Sequence, residues 1–332
     1  MNRLFPIEII DLICRYLPLD QVLKDYHYFV SFKTKKILCR RIQFVEYKNI
    51  ILLKWLIKLN RPHKYNNKKL INNVIRFDTN NIEIIDFLHN IGYKGTDSTI
   101  NIAIKNLTKN DSSEFSLVNY LIEKGYKISK SAIDYAVEID NLKLVKLLYE
   151  NGGEGSYYAI HYAIENDNLD MLKFLDKNGN DYDSNDTEYA IKYCSLKLIE
   201  FLLKNDYDFI KNPIDKSTRL EVTKLLHHYN MKATVEAMNY AAERGHLDIV
   251  EFLHFNRTEG CDKYAFEYSA LRGHLDIVKF LCENRNEGFM SDNIICLVYY
   301  NNNNTYQKIA KYLYTQRHKF NLTYSIPGSW LM

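Results

Sequence analysis

The sequence predicts an all-α fold: a solenoid of stacked helix pairs that follows a small N-terminal helical module. The first observation is a near-duplication, since "YAAERGHLDIVEFLH" (Tyr240–His254) returns 28 residues later as "YSALRGHLDIVKFLC" (Tyr268–Cys282). The second is a short apolar motif that recurs along most of the chain. The third is a low content of turn-forming residues, with only 12 Gly and 5 Pro among 332 residues. Few Gly and Pro favour helices over a many-stranded protein.

The recurring motif reads [IVL]-[VIL]-x-[FYLW]-L, and "VTKLL" is its weakest copy. Its period is helical, because the apolar side chains of "LDIVEFL" fall on one broad face. Successive copies are 24 to 33 residues apart, most often 27. The last leucines of the ten copies are Leu56, Leu88, Leu121, Leu148, Leu175, Leu202, Leu226, Leu253, Leu281 and Leu313.

A second helix precedes each copy of the motif. In "SAIDYAVE" the apolar residues share one face, and Ser131 is predicted to be the N-cap. Gly245 and Gly273 fall between the two helices, where a left-handed residue must end the first one. Asp140 and Asp167 hold the same place in other copies. One such helix pair cannot bury its own apolar face, so neighbouring pairs are expected to stack.

The pattern "A-A-x-x-G-H-L-D-I-V-x-F-L" resembles the second half of the ankyrin repeat. "AIHYA" resembles that family's P-L-H-x-A segment, with His161 at the histidine position. The resemblance covers roughly residues 40–320. The repeats are similar to the shortened ankyrin repeats of large DNA viruses and amoebae. Ankyrin repeats run about 33 residues, whereas the central copies run 27. The missing residues fall where the family places a protruding hairpin, so short inter-repeat loops are expected.

Five tyrosines occupy one position of the first helix when the copies are aligned: Tyr135, Tyr162, Tyr189, Tyr240 and Tyr268. Aromatic residues at helical spacing are usually packed in a core, although an exposed stripe for a ligand is the alternative. The same phase predicts one more such position between Tyr189 and Tyr240, and the residue there is Pro213. Proline is tolerated only in the first helical turn. The first helix of the repeat near 205–229 is therefore expected to be truncated or irregular.

The N-terminal segment "LFPIEIIDLICRYLPLDQVLKDYHYF" is out of phase with the repeats and resembles the start of an F-box. In that family the motif docks on an adaptor of a ubiquitin ligase. The resemblance implies a docking surface of Leu4, Pro6, Ile9, Ile13 and Leu17. Plain capping helices of the solenoid are the alternative. The sequence divides into residues 1–40 for this module, 41–314 for about nine repeats, and 315–332 for a C-terminal cap or tail.

Composition and motifs argue against several classes of function. The formal net charge of +3 does not indicate a basic nucleic-acid groove, and no apolar run approaches the length of a membrane span. The six cysteines are scattered without a C-x-x-C pair, which indicates reduced core residues. The sequence has no H-E-x-x-H, G-x-S-x-G or glycine-rich phosphate motif. We therefore expect no catalytic residue, no cofactor and no metal.

Protein recognition on the concave face of the solenoid is the function that the repeats predict. The predicted contact positions are the two residues before each inter-helix turn, because the repeat leaves them free to vary: Glu138, Ile139, Glu165, Asn166, Lys192, Tyr193, Glu243, Arg244, Leu271 and Arg272. A substrate receptor that recruits a ubiquitin ligase, a plain scaffold or inhibitor, and an enzyme with an unrecognised site remain as alternatives. The expected location is the cytoplasm, that of the host if the protein is viral.

Overall fold

A computed structural model describes residues 70–77, 82–107, 115–286, 294–299 and 303–319. These residues are helical apart from turns and short loops, and none of them lies in a β-strand. The described fold is thus all-α and built of stacked helix pairs, as the sequence predicts. The chain divides into two compact units, Met1–Ala159 and Ile160–Met332, and the boundary falls within one helix.

The described part of the first unit contains three helix pairs and the start of a fourth. The helices are α1 (Leu70–Phe77), α2 (Ile82–Asn90), α3 (Thr99–Lys105), α4 (Ser116–Glu123), α5 (Lys130–Glu138), α6 (Leu142–Glu150) and α7 (Tyr157–Glu165), which crosses the unit boundary. The first helices of successive pairs pack on one another, α1 on α3 and α3 on α5.

The second unit continues the same pattern. Its helices are α8 (Leu169–Lys177), α9 (Ser184–Tyr193), α10 (Leu196–Lys204), α11 (Leu220–His228), α12 (Val235–Arg244), α13 (Leu247–Asn256), α14 (Lys263–Arg272), α15 (Leu275–Asn284), α16 (Ile294–Tyr299) and α17 (Asn304–Gln316). A 3-10 turn, Pro213–Lys216, stands in the place of a first helix before α11. The second helices α8, α10, α11, α13 and α15 each contact the next one along the chain.

The leucines that end the recurring motif form the buried spine of both units. Nine of the ten predicted leucines lie among the described residues, and each is at most 3% exposed. Leu56, the tenth, lies outside them. Inter-repeat loops are short, as between α6 and α7, where the loop is residues 151–156. The motif's phase therefore identifies the buried face of each second helix, and burial of that face holds the pairs together.

The turn between paired helices has the left-handed residue that the sequence predicts. Gly245 has φ 82° and Gly273 has φ 88°, while Asp140 and Asp167 adopt φ 58° and φ 50° at the same place. The prediction is confirmed, and it extends to aspartate, which tolerates this conformation better than most non-glycine residues.

The predicted N-cap at Ser131 is wrong. Helix α5 begins at Lys130, so the cap is Ser129, which has extended backbone angles. The Ser129 hydroxyl does not bond the end of its own helix but donates to Asn101 Oδ1 of the preceding repeat at 2.8 Å. A contact between repeats therefore outweighs the local capping bond that the sequence pattern suggests.

Buried polar side chains link each repeat to the next. Asp134 accepts hydrogen bonds from the backbone N–H of Ser156 at 3.0 Å and from its hydroxyl at 2.8 Å. Asp215 does the same for Thr234, with both distances at 2.8 Å. The two aspartates are 8% and 6% exposed. Each carboxylate fixes the loop that leads into the next first helix, and hydrogen bonds to a buried charge are stronger than neutral ones.

Candidate partner-binding surface

The predicted contact residues lie at equivalent places, at the C-terminal ends of first helices. In the first unit, Glu138 is the last residue of α5 and is exposed, and Ile139 follows it half-buried. In the second unit, the remaining predicted residues end α7, α9, α12 and α14: Glu165, Asn166, Lys192, Tyr193, Glu243, Arg244, Leu271 and Arg272. The structure therefore places this set on one kind of helix end, as the repeat phase requires.

Few of these residues contact each other directly. Arg272 Nη2 lies 2.9 Å from Glu243 Oε1 and joins the ends of α14 and α12. Lys192 instead pairs with Glu188 of its own helix at 2.6 Å, and Tyr193 packs its ring 4.8 Å from that of Tyr189. Such exposed ion pairs contribute only about 0–1 kcal/mol each. The positions of these side chains are therefore set by the packing of their helices and not by ion pairs between them.

Exposed apolar side chains concentrate on first helices. Of the eight large exposed hydrophobic residues in the described part of the chain, six lie there. On α14, Tyr264, Tyr268 and Leu271 share one face and are 39%, 38% and 40% exposed. The rings of the two tyrosines stack with centroids 5.3 Å apart. Large exposed apolar groups on one kind of face are typical of interaction surfaces.

The aligned tyrosines lie at equivalent positions of first helices. Tyr135, Tyr162, Tyr189 and Tyr240 are half-buried, and Tyr268 is exposed. Lys105 lies 3.9 Å from the ring centroid of Tyr135. These rings are neither core residues nor fully exposed, so each combines packing against its helix with an accessible aromatic edge. Sequence reasoning missed Tyr264, whose signal is its place one helical turn before Tyr268.

A polar cluster in the first unit connects α2 to α4 and the loop after it. The Tyr126 hydroxyl accepts the backbone N–H of Gly95 at 2.6 Å, and its second hydrogen-bond partner is His89 Nε2 at 2.7 Å. The Asp86 carboxylate can only accept, so the Tyr120 hydroxyl donates to it at 2.9 Å and accepts from His89 Nδ1 at 2.8 Å. The network thus requires a proton on His89 Nδ1, and a neutral ring whose Nε2 accepts from Tyr126 satisfies it.

The electrostatics of this cluster agree with that assignment. Burial lowers the pKa of His89, and the nearby Lys124 ammonium lowers it further against the opposing Asp86 carboxylate. The hydrogen bond from Tyr120, aided by Lys124 at 3.2 Å, lowers the pKa of Asp86. Burial and the contact with Asp86 raise the pKa of Tyr120. The cluster therefore holds its groups in fixed protonation states, and every hydrogen-bonding atom of the His89 ring is satisfied.

Cysteine chemistry is suppressed where the structure describes it. Cys194, Cys261 and Cys282 are buried free thiols. Burial raises the pKa of Cys194 to about 12, and likewise that of Cys282 to about 12. Since the thiolate is the reactive form, neither side chain is an activated nucleophile. Among the described residues, no group of three or more His, Cys, Asp or Glu side chains is arranged to hold a metal ion.

Two further predictions can be placed against the described residues. The predicted adaptor-docking residues Leu4, Pro6, Ile9, Ile13 and Leu17 lie outside them. Within the described ranges, every helix is too short or too polar to cross a membrane.

Comparison with known families identifies the repeats. A model of ankyrin repeats in three copies matches residues 100–186 and 133–213, and a model of ankyrin repeats in many copies matches residues 238–281. A search of curated proteins finds no match. The chain thus carries ankyrin repeats over these residues, and ankyrin repeats generally serve as non-catalytic protein-interaction modules.

Proposed function

We propose that this chain binds a protein partner on the surface formed by its first helices. The observation that carries the proposal is the exposed aromatic and aliphatic face of α14, made by Tyr264, Tyr268 and Leu271. Tyrosine and arginine are enriched among the residues that dominate binding energy, and Arg244 and Arg272 flank this face at the ends of α12 and α14. Within the second unit, the predicted contact residues Glu165, Lys192 and Glu243 extend the same surface over neighbouring repeats.

A matched pair of variants tests the proposal. Tyr268→Ser with Leu271→Ser removes apolar area from the first-helix surface, while Phe255→Ser removes an even more exposed side chain, 72% accessible, from second helix α13. Partners are captured from cells with the full chain and compared by mass spectrometry. Loss of the same partners in the double variant, with retention in Phe255→Ser, supports the proposal. Equal capture by all three chains contradicts it, provided that circular dichroism shows equal helix content.

We further propose that residues 1–40 recruit a ubiquitin-ligase adaptor, which would make the chain a substrate receptor in the cytoplasm. Its support is the F-box-like pattern of the N-terminal sequence, including Pro6 and Ile9, together with its combination with ankyrin repeats as in large DNA viruses. Co-precipitation of the adaptor with the full chain, lost on deletion of residues 1–35, is the expected result. Adaptor binding that survives the deletion counts against recruitment by these residues, and a full chain that does not co-precipitate the adaptor favours a plain scaffold or inhibitor instead.

A further inference from the structure

Two first helices of the second unit, α12 and α14, pack directly on each other. The aligned tyrosines Tyr240 and Tyr268 are each the sixth residue of these ten-residue helices. Equivalent positions on two packed helices are about as far apart as the helix axes, which is about 8–10 Å. The two tyrosines therefore repeat across the first-helix surface at that spacing.

The α14 side of this pair carries the larger aromatic surface. Tyr264 and Tyr268 are both exposed, and their stacked rings are nearly parallel, with 18° between the ring planes. Leu271 is exposed on the same face, one helical turn after Tyr268. Exposed aromatic rings with accessible flat faces are the surfaces on which the rings of prolines pack in peptide recognition.

The α12 side of the pair combines an aromatic ring with hydrogen-bond donors. The Arg244 guanidinium lies 5.1 Å from the ring centroid of Tyr240, which precedes it by one helical turn. A guanidinium has five N–H donors and no acceptor. Because Arg244 is exposed at the end of α12, these donors suit a ligand whose carbonyl oxygens are free.

The formal charges of the two helices cancel. Together α12 and α14 carry three acidic and three basic residues: Glu236, Glu243, Glu267, Arg244, Lys263 and Arg272. Two of them, Arg272 and Glu243, already pair with each other at 2.9 Å. A surface with balanced charge attracts neither a strongly acidic nor a strongly basic segment. Its ligand is therefore expected to bind through apolar and hydrogen-bonding groups.

Polyproline II is the regular backbone conformation that matches both the spacing and the donors. It has three residues per turn, so residues i and i+3 share a face about 9 Å apart, and its carbonyls are free to accept. A β-strand repeats one face every two residues, about 7 Å apart. An α-helix places residues seven apart at about 10 Å, but its carbonyls are occupied by its own hydrogen bonds.

We infer that the α12–α14 surface binds an uncharged, proline-rich segment of the partner protein in the polyproline II conformation, with residues three apart packed on Tyr240 and Tyr268. This inference rests on the proposed function, since it names the chemistry of a partner that binds the first-helix surface. Arg244 donates to a carbonyl oxygen of the segment, while Tyr264 and Leu271 border the residue that packs on Tyr268. Because proline fixes its own φ, such a segment loses little conformational entropy on binding.

Peptides selected on the purified full chain from a phage-displayed library of random twelve-residue sequences provide the probe. Binding of the fluorescein-labelled selected peptides is measured by anisotropy. We expect prolines three residues apart and no excess of charged residues of either sign. Insertion of one residue between the two prolines should weaken binding about tenfold, because the second proline then turns to another face of the peptide. Raising the salt concentration should change the affinity less than about twofold.

Variants of the chain with unchanged helix content by circular dichroism locate the site. Tyr268→Ser with Leu271→Ser should weaken peptide binding about tenfold or more, because both apolar contacts on α14 are removed. Arg244→Ala should weaken it severalfold through the lost hydrogen bonds. Phe255→Ser and Tyr193→Ser remove exposed aromatic rings elsewhere in the second unit and should bind the peptides like the parent chain.

The outcomes separate this inference from the proposed function. Selected peptides without paired prolines, no selected peptides, or equal losses in the two control variants would overturn the inference. Proline-rich peptides that bind Tyr268→Ser with Leu271→Ser as tightly as the parent chain would also overturn it, because they bind elsewhere. Charged or helical peptides that this double variant loses would overturn the inference and leave the proposed function intact. The capture of cellular partners tests the proposed function independently, since it requires no proline in the partner.

Discussion

An alanine in place of Gly245 would add one methyl group to the turn after α12. Its effect on the free energy of unfolding has two parts, backbone strain and a steric conflict with a neighbouring side chain. Gly245 ends α12 with φ 82°, and the His274 ring of the next repeat covers it. A Cβ placed there would lie 2.6 Å from Cε1 of that ring. His274 Nε2 also lies 3.1 Å from the Glu243 carbonyl oxygen, so the ring satisfies a carbonyl at the end of α12. Gly179 has a similar φ of 72°, yet a Cβ there would meet nothing within 4 Å.

Gly179→Ala should therefore report backbone strain alone. The left-handed conformation costs a non-glycine residue about 1–2 kcal/mol, and the stiffer unfolded chain returns about 0.4–1 kcal/mol of that. Gly245→Ala carries the same terms and adds a steric conflict. Either the His274 ring stays and is overpacked, at about 1–3 kcal/mol, or it moves and loses its hydrogen bond, at about 1 kcal/mol. We expect Gly245→Ala to lower the free energy of unfolding by about 1–3 kcal/mol more than Gly179→Ala does.

Urea unfolding followed by circular dichroism at 222 nm measures the difference. In a His274→Ala background the steric conflict disappears, so the added cost of Gly245→Ala should fall to that of Gly179→Ala. If Gly245→Ala and Gly179→Ala destabilise the parent chain to within about 0.5 kcal/mol of each other, the packing of His274 on this turn does not contribute as argued.

Three further predictions concern polar contacts between repeats. Asp215→Ala should destabilise the chain by about 2–3 kcal/mol in urea unfolding, since both hydrogen bonds from Thr234 are lost, while Asp215→Asn retains an acceptor and should cost less than half as much; a loss below about 1 kcal/mol in Asp215→Ala would refute the role of these hydrogen bonds. Arg219→Ala should cost about 1–3 kcal/mol, because it frees two carbonyls at the end of α9, and an Arg219→Lys variant that loses as much would confirm the need for the guanidinium. Because the folded pKa of His89 is lowered, the parent chain should lose stability as the pH falls below 6.5, the ordinary histidine value. His89→Gln should reduce that loss between pH 7.5 and 5, and an unchanged pH dependence would show that His89 does not contribute.

Internal repetition explains why so much of the fold is predictable from this sequence. Ten aligned copies give the phase of each helix, and the phase identifies the buried leucines and the left-handed turns at Gly245 and Asp140. Because each position can be compared with the same position in the other copies, a deviation such as Pro213 is visible at once. The two-residue positions at the ends of first helices are predictable for the same reason.

The contacts between repeats are not predictable in this way. Ser129 bonds Asn101, and Ser156 bonds Asp134, over separations of 28 and 22 residues. A pattern read within one repeat describes local capping but not partners in the preceding repeat, which is why Ser131 was the wrong N-cap. The His89 network is likewise hidden, because its five groups become neighbours only when α2 and α4 pack.

The shortened repeat shows how a stack can lose a helix without losing its core. Ile214 on the 3-10 turn remains buried, as does Leu226 on α11. Arg219 Nη2 donates to the carbonyl oxygens of Ile191 and Cys194 at 3.2 and 2.6 Å, which satisfies the end of α9. Asp215 holds the entry to α12. Individual side chains thus replace the packing and hydrogen-bonding contacts of the missing helix.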